Sequence, residues 1–198
     1  MVERRFQREA VLEQLASLPR HQRAAYAVAC ADRLIPLYRW FQEVESWGDV
    51  IVLETCVEFA WNWVKGVPFE DAKLAAAVRE CEAVIPDMDD FHSYLASRAL
   101  DAGSAVAQAL EACISPVPET AADAGEIAWE CASGVEQSRI SEASLVRIAE
   151  EIILMEAAQG PLVFLEADLQ QRSLGFLRRE PFINEAIDDF RNQFANLA

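Results

Sequence analysis

The sequence predicts an all-α protein, a compact bundle of about eight or nine helices with a Pro-kinked central helix and no sheet. Three observations carry this. Apolar residues recur at helical spacing in one segment after another, and no stretch shows the alternation of a half-buried strand. Turn signals punctuate the segments at Pro19, Gly48-Asp49, Gly66-Val67-Pro68, Pro86, Ser115-Pro116-Val117-Pro118 and Gly160-Pro161. Apolar residues make up 53% of the 198 positions. That suits one domain over residues 1–198, burying roughly 70% of its unfolded surface.

The first helix covers about residues 3–17, with Phe6, Leu12 and Leu15 inward. Pro19 can open the second, where its missing amide hydrogen costs nothing. From Arg20 to Phe41, the residues Tyr26, Cys30, Leu34 or Leu37, and Phe41 keep a continuous apolar face. Residues 24–31 are almost all small or apolar, which implies burial on more than one side. Pro36 should kink this helix, because its ring crowds the carbonyl four residues back. The helix should end near Trp47-Gly48 with the glycine just past its last turn.

Asp49 is placed to cap a third helix whose stripe is Val50, Leu53, Val57, Ala60 and Val64. A fourth carries Glu70 and Asp71 in its first turn, favourable to the helix dipole, and runs through Leu74, Val78, Cys81 and Ile85. Asp87, Asp89 and Asp90 form the densest acidic cluster. A calcium loop needs a glycine bend and a later bidentate Glu, and neither is present. Asp89 or Asp90 instead reads as the cap of a fifth helix, lined by Phe91, Leu95, Ala99, Ala102, Val106, Leu110 and Cys113. Thr120 and Asp123 resemble a capping box. Residues 121–138 are weakly amphipathic, and Gly125 and Gly134 each cost a helix about 1 kcal/mol. Their small size alternatively permits close helix approach. Ser141 can start a seventh helix with Leu145, Ile148, Ile152 and Met155 inward, and Leu162, Leu165, Leu169 and Phe176 mark the eighth. Pro181 opens the last, where Ile183, Ile187, Phe190, Phe194 and Leu197 face the core.

Charge limits the function. The formal net charge is −16 and the residues carry 33 acids against 17 bases, which argues against nucleic acid and anionic membrane surfaces as partners. Residues 1–39 hold seven arginines against four acids, whereas residues 111–168 hold twelve acids against only Arg139 and Arg147. The acidity serves either solubility or a functional face that meets a basic partner. Five well-separated cysteines (Cys30, Cys56, Cys81, Cys113 and Cys131) read as reduced thiols of a cytoplasmic protein. The N-terminal residues lack the apolar run of a signal peptide, and no uninterrupted apolar run spans a bilayer.

No catalytic constellation stands out. His21 and His92 are the only histidines, and no Glu-x-x-His, Cys-x-x-Cys or Gly-rich phosphate motif occurs. Glu150 and Glu151 are consecutive on a helix and diverge, a poor geometry for acid–base work. The chain therefore reads as no enzyme, with no cofactor, metal ligand or catalytic residue.

Arg23-Ala-Ala-Tyr26-Ala-Val-Ala-Cys30-Ala-Asp32-Arg33-Leu-Ile-Pro36-Leu-Tyr38 resembles the signature of the YjaG-like family, small all-helical bacterial proteins without established function. Trp61, Ile85-Pro86 followed by Asp89-Asp90-Phe91, and Ala99-Leu-Asp101-Ala agree with it as well. The resemblance covers most of residues 6–114 and fades beyond Pro118. It implies a single α-helical domain that can form homodimers, and it casts Asp32, Arg33 and Asp101 as a buried ion-pair network setting helix register.

The leading expectation is a non-enzymatic acidic binding protein, specifically an immunity-type inhibitor that neutralises a basic bacterial toxin. Its partner-binding residues would be Asp123, Glu126, Glu130, Glu136 and Glu142. A housekeeping oligomeric or adaptor protein is the alternative, and a helical bundle holding a small ligand or an active site is the third.

Overall fold

Residues 24–31 are buried without exception. In the computed structural model, which describes residues 6–143, 161–179 and 182–195, they belong to helix α2 (Arg20–Asp32). Around it stand α1 (Arg8–Ala16), α3 (Ile35–Glu45), α4 (Val50–Val64), α5 (Asp71–Glu82), α6 (Tyr94–Ile114), α7 (Pro118–Ala143), α8 (Pro161–Leu177) and α9 (Asn184–Phe194). No strand occurs among the described residues. Helix α2 touches α4, α6, α7, α8 and α9, so its alanines are explained: a large side chain on any face would hold a neighbour away. One continuous hydrophobic cluster runs from Val11 to Ala195. No described helix is long and apolar enough to cross a membrane.

At Pro36 the helix breaks instead of kinking. Helix α2 stops at Asp32, Arg33 and Leu34 form a turn, and α3 restarts with Pro36 in its first turn. There the absent amide is no loss, whereas inside a continuous helix it would leave a carbonyl unpaired. The end of α3 also differs from expectation. Ser46, not Gly48, takes the left-handed conformation after the last turn (φ 53°). Gly48 follows with φ 89°, at a position where a Cβ would lie 2.4 Å from the Tyr38 hydroxyl. That hydroxyl donates to the Val84 carbonyl at 2.5 Å and accepts from the Asp49 amide at 3.3 Å.

Asp49 caps α4 as expected, accepting from the Ile51 amide at 3.0 Å. Helix α5 ends at Glu82, short of Ile85, and the acids after Pro86 do not cap α6. Asp87 caps a 3-10 turn over Met88–Asp90, accepting from the Asp89 amide, and Ser93 caps α6 through the Leu95 amide at 3.1 Å. Phe91 is extended between them, which puts Asp89 and Asp90 one turn too early.

Helix α7 begins at Pro118, so Thr120 lies inside it and makes no capping box, and it continues through Ser141. Its glycines serve close approach. A Cβ on Gly125 would sit 2.4 Å from the Tyr26 hydroxyl, and one on Gly134 would sit 1.9 Å from the Arg98 guanidinium. The predicted stripe of Leu145, Ile148, Ile152 and Met155, together with Pro181 and Leu197, lies outside the described residues. Helix α8 is rotated relative to expectation: Leu165 is exposed, while Val163, Glu166, Leu169, Gln170, Ser173, Leu174 and Leu177 are buried. Three of those seven are polar: Glu166 and Gln170 find partners at α2 and α7, and Ser173 donates to the Gln170 carbonyl within α8.

Candidate functional site

Two of the polar side chains that α8 buries, Glu166 and Gln170, form a network with Arg33, at the end of α2. Arg33 is 3% exposed and grips Glu166 with two hydrogen bonds, Nε to Oε2 at 3.0 Å and Nη2 to Oε1 at 2.5 Å. Its Nη1 donates to the carbonyls of Ala29 at 3.0 Å and Phe194 at 2.6 Å. Gln170 continues the chain by donating to Glu166 at 2.8 Å and to the Gly125 carbonyl at 2.9 Å. Tyr26 in turn donates to the Gln170 side-chain oxygen at 2.8 Å. One connected network thus joins α2, α7, α8 and the end of α9. Every charged member has an opposite charge or a carbonyl beside it, the condition under which buried charge is tolerated.

Burial works against the Arg33 charge, but Glu166 outweighs it and holds the guanidinium protonated. Burial pushes the Tyr26 hydroxyl well above its usual range and raises the Cys30 thiol to about 11. Cys113 and Cys131 rise to about 12 for the same reason. These thiols stay protonated near neutrality, and protonated thiols are poor nucleophiles. Among the described residues no group of three or more His, Cys, Asp or Glu is arranged to hold a metal.

Asp32 and Asp101 belong to other clusters, so the single ion-pair network expected of Asp32, Arg33 and Asp101 is three. Asp32 follows α2 round by about 100° from Arg33, as consecutive helical positions must. It accepts from the Trp61 indole at 2.9 Å and pairs with Arg191 at 3.3 Å. Arg191 lies over the Trp61 ring and also meets Glu58. Asp101 pairs with Arg98 at 3.0 Å on α6, and Arg98 reaches the Cys131 carbonyl on α7 at 3.0 Å. Burial raises the pKa of both aspartates.

The five acids expected to meet a partner are scattered in role. Asp123 and Glu126 both clamp Arg8, at 2.5 and 2.6 Å, and so tie α7 to α1. Glu136 is 4% exposed and accepts from the Leu162 amide at 2.9 Å, at the start of α8. It is not on the surface, and its expected partner role is corrected accordingly. Glu130 is exposed. Glu142 lies near the end of α7, and its side chain is outside the described residues.

An exposed aromatic face, which periodicity alone does not signal, lies on α3 and the start of α6. Trp40 and Val44, one turn apart on α3, are 46% and 55% exposed. The Trp40 ring meets that of exposed Tyr94 edge-on at 6.3 Å. Trp47 packs on Phe91 at 5.4 Å, and Phe91 on buried Phe41 at 5.1 Å. Exposed Glu43 stands on α3 between Trp40 and Val44, and exposed Asp87, Asp89 and Asp90 immediately precede Phe91. Arg39, the base adjacent to Trp40, is engaged by Glu54. Phe91 and Trp47 are thus anchored on buried Phe41, Trp40 and Tyr94 form a second exposed pair, and exposed acids neighbour both in the chain.

Fold and site together define an all-α bundle with a sealed polar cluster inside and an acid-framed aromatic face outside. A family of proteins of unknown function, DUF416, matches residues 10–197, and the chain belongs to it. The family thus carries the DUF416 name, and the expectation of a family without established function holds at that level. The fold is similar to the crystal structure of a DUF416 family protein from Shewanella baltica OS155. That likeness has a TM-score of 0.75 and 22% identity, covering 92% of each chain. Comparison with the curated proteins gives no match.

Proposed function

We propose that this chain is a non-enzymatic binding protein whose partner is a basic protein, docked on the aromatic face of α3 and the start of α6. The observation that supports it is the coincidence of exposed Trp40, Val44 and Tyr94 with Glu43, Asp87, Asp89 and Asp90. Aromatic anchors surrounded by one sign of charge suit a partner that brings an apolar side chain within a cationic surface. The face replaces the α7 acids as the interaction surface, because Asp123, Glu126 and Glu136 already have partners within the fold. A basic toxin domain neutralised by an immunity-type inhibitor is the sharpest form of the reading, and a cytoplasmic setting that keeps five buried thiols reduced accords with it.

A Lys/Arg-rich amphipathic peptide is the probe, titrated by calorimetry at low and at high salt. Binding should weaken as salt rises, and Asp89→Lys/Asp90→Lys should reduce it by about tenfold or more. Glu9→Lys/Glu13→Lys on α1 changes net charge equally, far from the rings, and should leave most of the affinity. Equal losses in the two variants would reduce the effect to net charge and overturn the site. A stable homodimer that buries Trp40 would overturn it too. Growth protection against a co-expressed basic toxin domain, abolished by Asp89→Lys/Asp90→Lys, checks the immunity form.

A further inference from the structure

A cleft of about 470 Å³ opens where the start of α2, the end of α4, the end of α6 and the turn before α7 converge. Its walls are unusual for this chain. Among the described residues no acid lines it, whereas Arg20 and His21 both do. Trp63, Val67, Ile114 and Pro116 supply apolar surface, and Val67 and Ile114 are exposed. The Arg20 guanidinium lies 5.2 Å from the centre of the Trp63 ring, and the His21 ring stacks on the same indole at 4.5 Å.

The electrostatics of the cleft favour an anion. Arg20 sits over an aromatic ring, and no ion pair joins it to a carboxylate of the described residues. Pro19 offers α2 no side-chain cap, so the first-turn amides leave the positive end of the helix dipole beside Arg20. The carbonyl end of α4 faces the same place, but the His21 ring lies against it. Burial, and then Arg20, lower the His21 pKa, while the carbonyls of Trp63 and Val64 act the other way. Neutral His21 therefore fills the end of α4 without adding a charge, and the net cation at the mouth is Arg20. Arg23 reinforces it from behind by donating to the carbonyls of Leu15, Ala16 and Pro116.

From this geometry we infer that the cleft binds a small amphiphilic anion, a carboxylate carried on a flat apolar body. The carboxylate meets Arg20, in the two-point geometry that a guanidinium fork provides. The body lies along the exposed walls of Val67 and Ile114. The volume suits a ligand of drug-like size or smaller, and nothing in the inference depends on the aromatic face of α3.

Indole-3-acetate and tryptamine form the test pair, because they share a flat body and differ in the sign of charge. In calorimetry of the full chain, indole-3-acetate should bind saturably in the millimolar range or tighter, and tryptamine at least about tenfold more weakly. Arg20→Gln, at an exposed position, should keep the fold and lose about tenfold in indole-3-acetate affinity. Ile114→Glu, which adds a carboxylate to the exposed wall, should abolish binding while leaving the melting temperature close to that of the parent. Three results would each overturn the assignment: no saturable indole-3-acetate binding, equal binding of tryptamine, or an unchanged affinity in Arg20→Gln.

Discussion

The Arg33–Glu166 pair and the Arg8 pairs with Asp123 and Glu126 have nearly the same contact distances, all between 2.5 and 3.0 Å. They differ in the access of water. Arg33 and Glu166 are almost fully enclosed, with side chains 1% and 7% exposed, while the Arg8 cluster is more than a third exposed. In the enclosed site each charge has given up its hydration and depends on the other. On the surface, water and salt replace whatever a partner withdraws. Contact geometry alone therefore says little about what an ion pair contributes; burial sets the scale.

Removing one member of the enclosed pair should have the largest effect. Arg33→Met strands Glu166 inside the fold and should cost about 3–5 kcal/mol in denaturant unfolding. Arg33→Met/Glu166→Met removes both charges and should recover part of that loss. Recovery should be incomplete, because the carbonyls of Ala29 and Phe194 lose their donor. If the double variant were as unstable as the sum of the two single ones, the dependence of each charge on the other would be refuted.

Removing the exposed cation should matter far less. Arg8→Ala should lower stability by less than about 1 kcal/mol, and added salt should narrow the gap to the parent. A loss as large as that of Arg33→Met would refute the role of burial, since it would give a hydrated pair the weight of a sealed one.

His21, half-buried, sharpens the middle of the range. Its folded-state pKa lies below the usual 6.5 because burial and Arg20 disfavour the imidazolium. The unfolded chain therefore takes up the proton first as pH falls. The stability contributed by neutral His21 is complete above about 6.5 and declines as pH drops from there towards the lower folded value. Melting curves from pH 7.5 to 5.5 should show a smaller decline for His21→Phe than for the parent. Parallel curves would mean that the ring titrates alike in both states.

Much of the fold was legible along the chain. Helical period placed most of the helices that the structure describes, although it ran α2 and α3 together and divided α7 at Ser141, and Asp49 announced its cap correctly. Expectation failed where a local signal had more than one outlet. Pro36 can kink a helix or start a new one, and the Arg33 guanidinium, by taking the Ala29 carbonyl at the end of α2, supports the break. Asp89 resembles a cap, yet Ser93 held that place once Phe91 had extended to reach Phe41 and Trp47. On α8 the leucines suggested one face, while Glu166, Gln170 and Ser173, spaced as i, i+4 and i+7, marked another. That polar stripe was a readable signal, but its meaning required knowing what stood opposite.

By itself the sequence determined the all-α class, several of the breaks such as those at Pro19 and Gly66-Val67-Pro68, the crowding of small residues in α2 and the excess of acid. These follow from residues within a turn or two of each other, where backbone geometry and side-chain size decide the outcome. Only the tertiary structure decided that Arg33 faces Glu166, 133 positions away, that Asp123 and Glu126 are occupied by Arg8, and that Glu136 is buried. It also assembled Arg20, Trp63 and Ile114 into one cleft with no carboxylate of the described residues in its lining. A charge's partner and its distance from water are properties of packing between distant segments, and no local pattern encodes them.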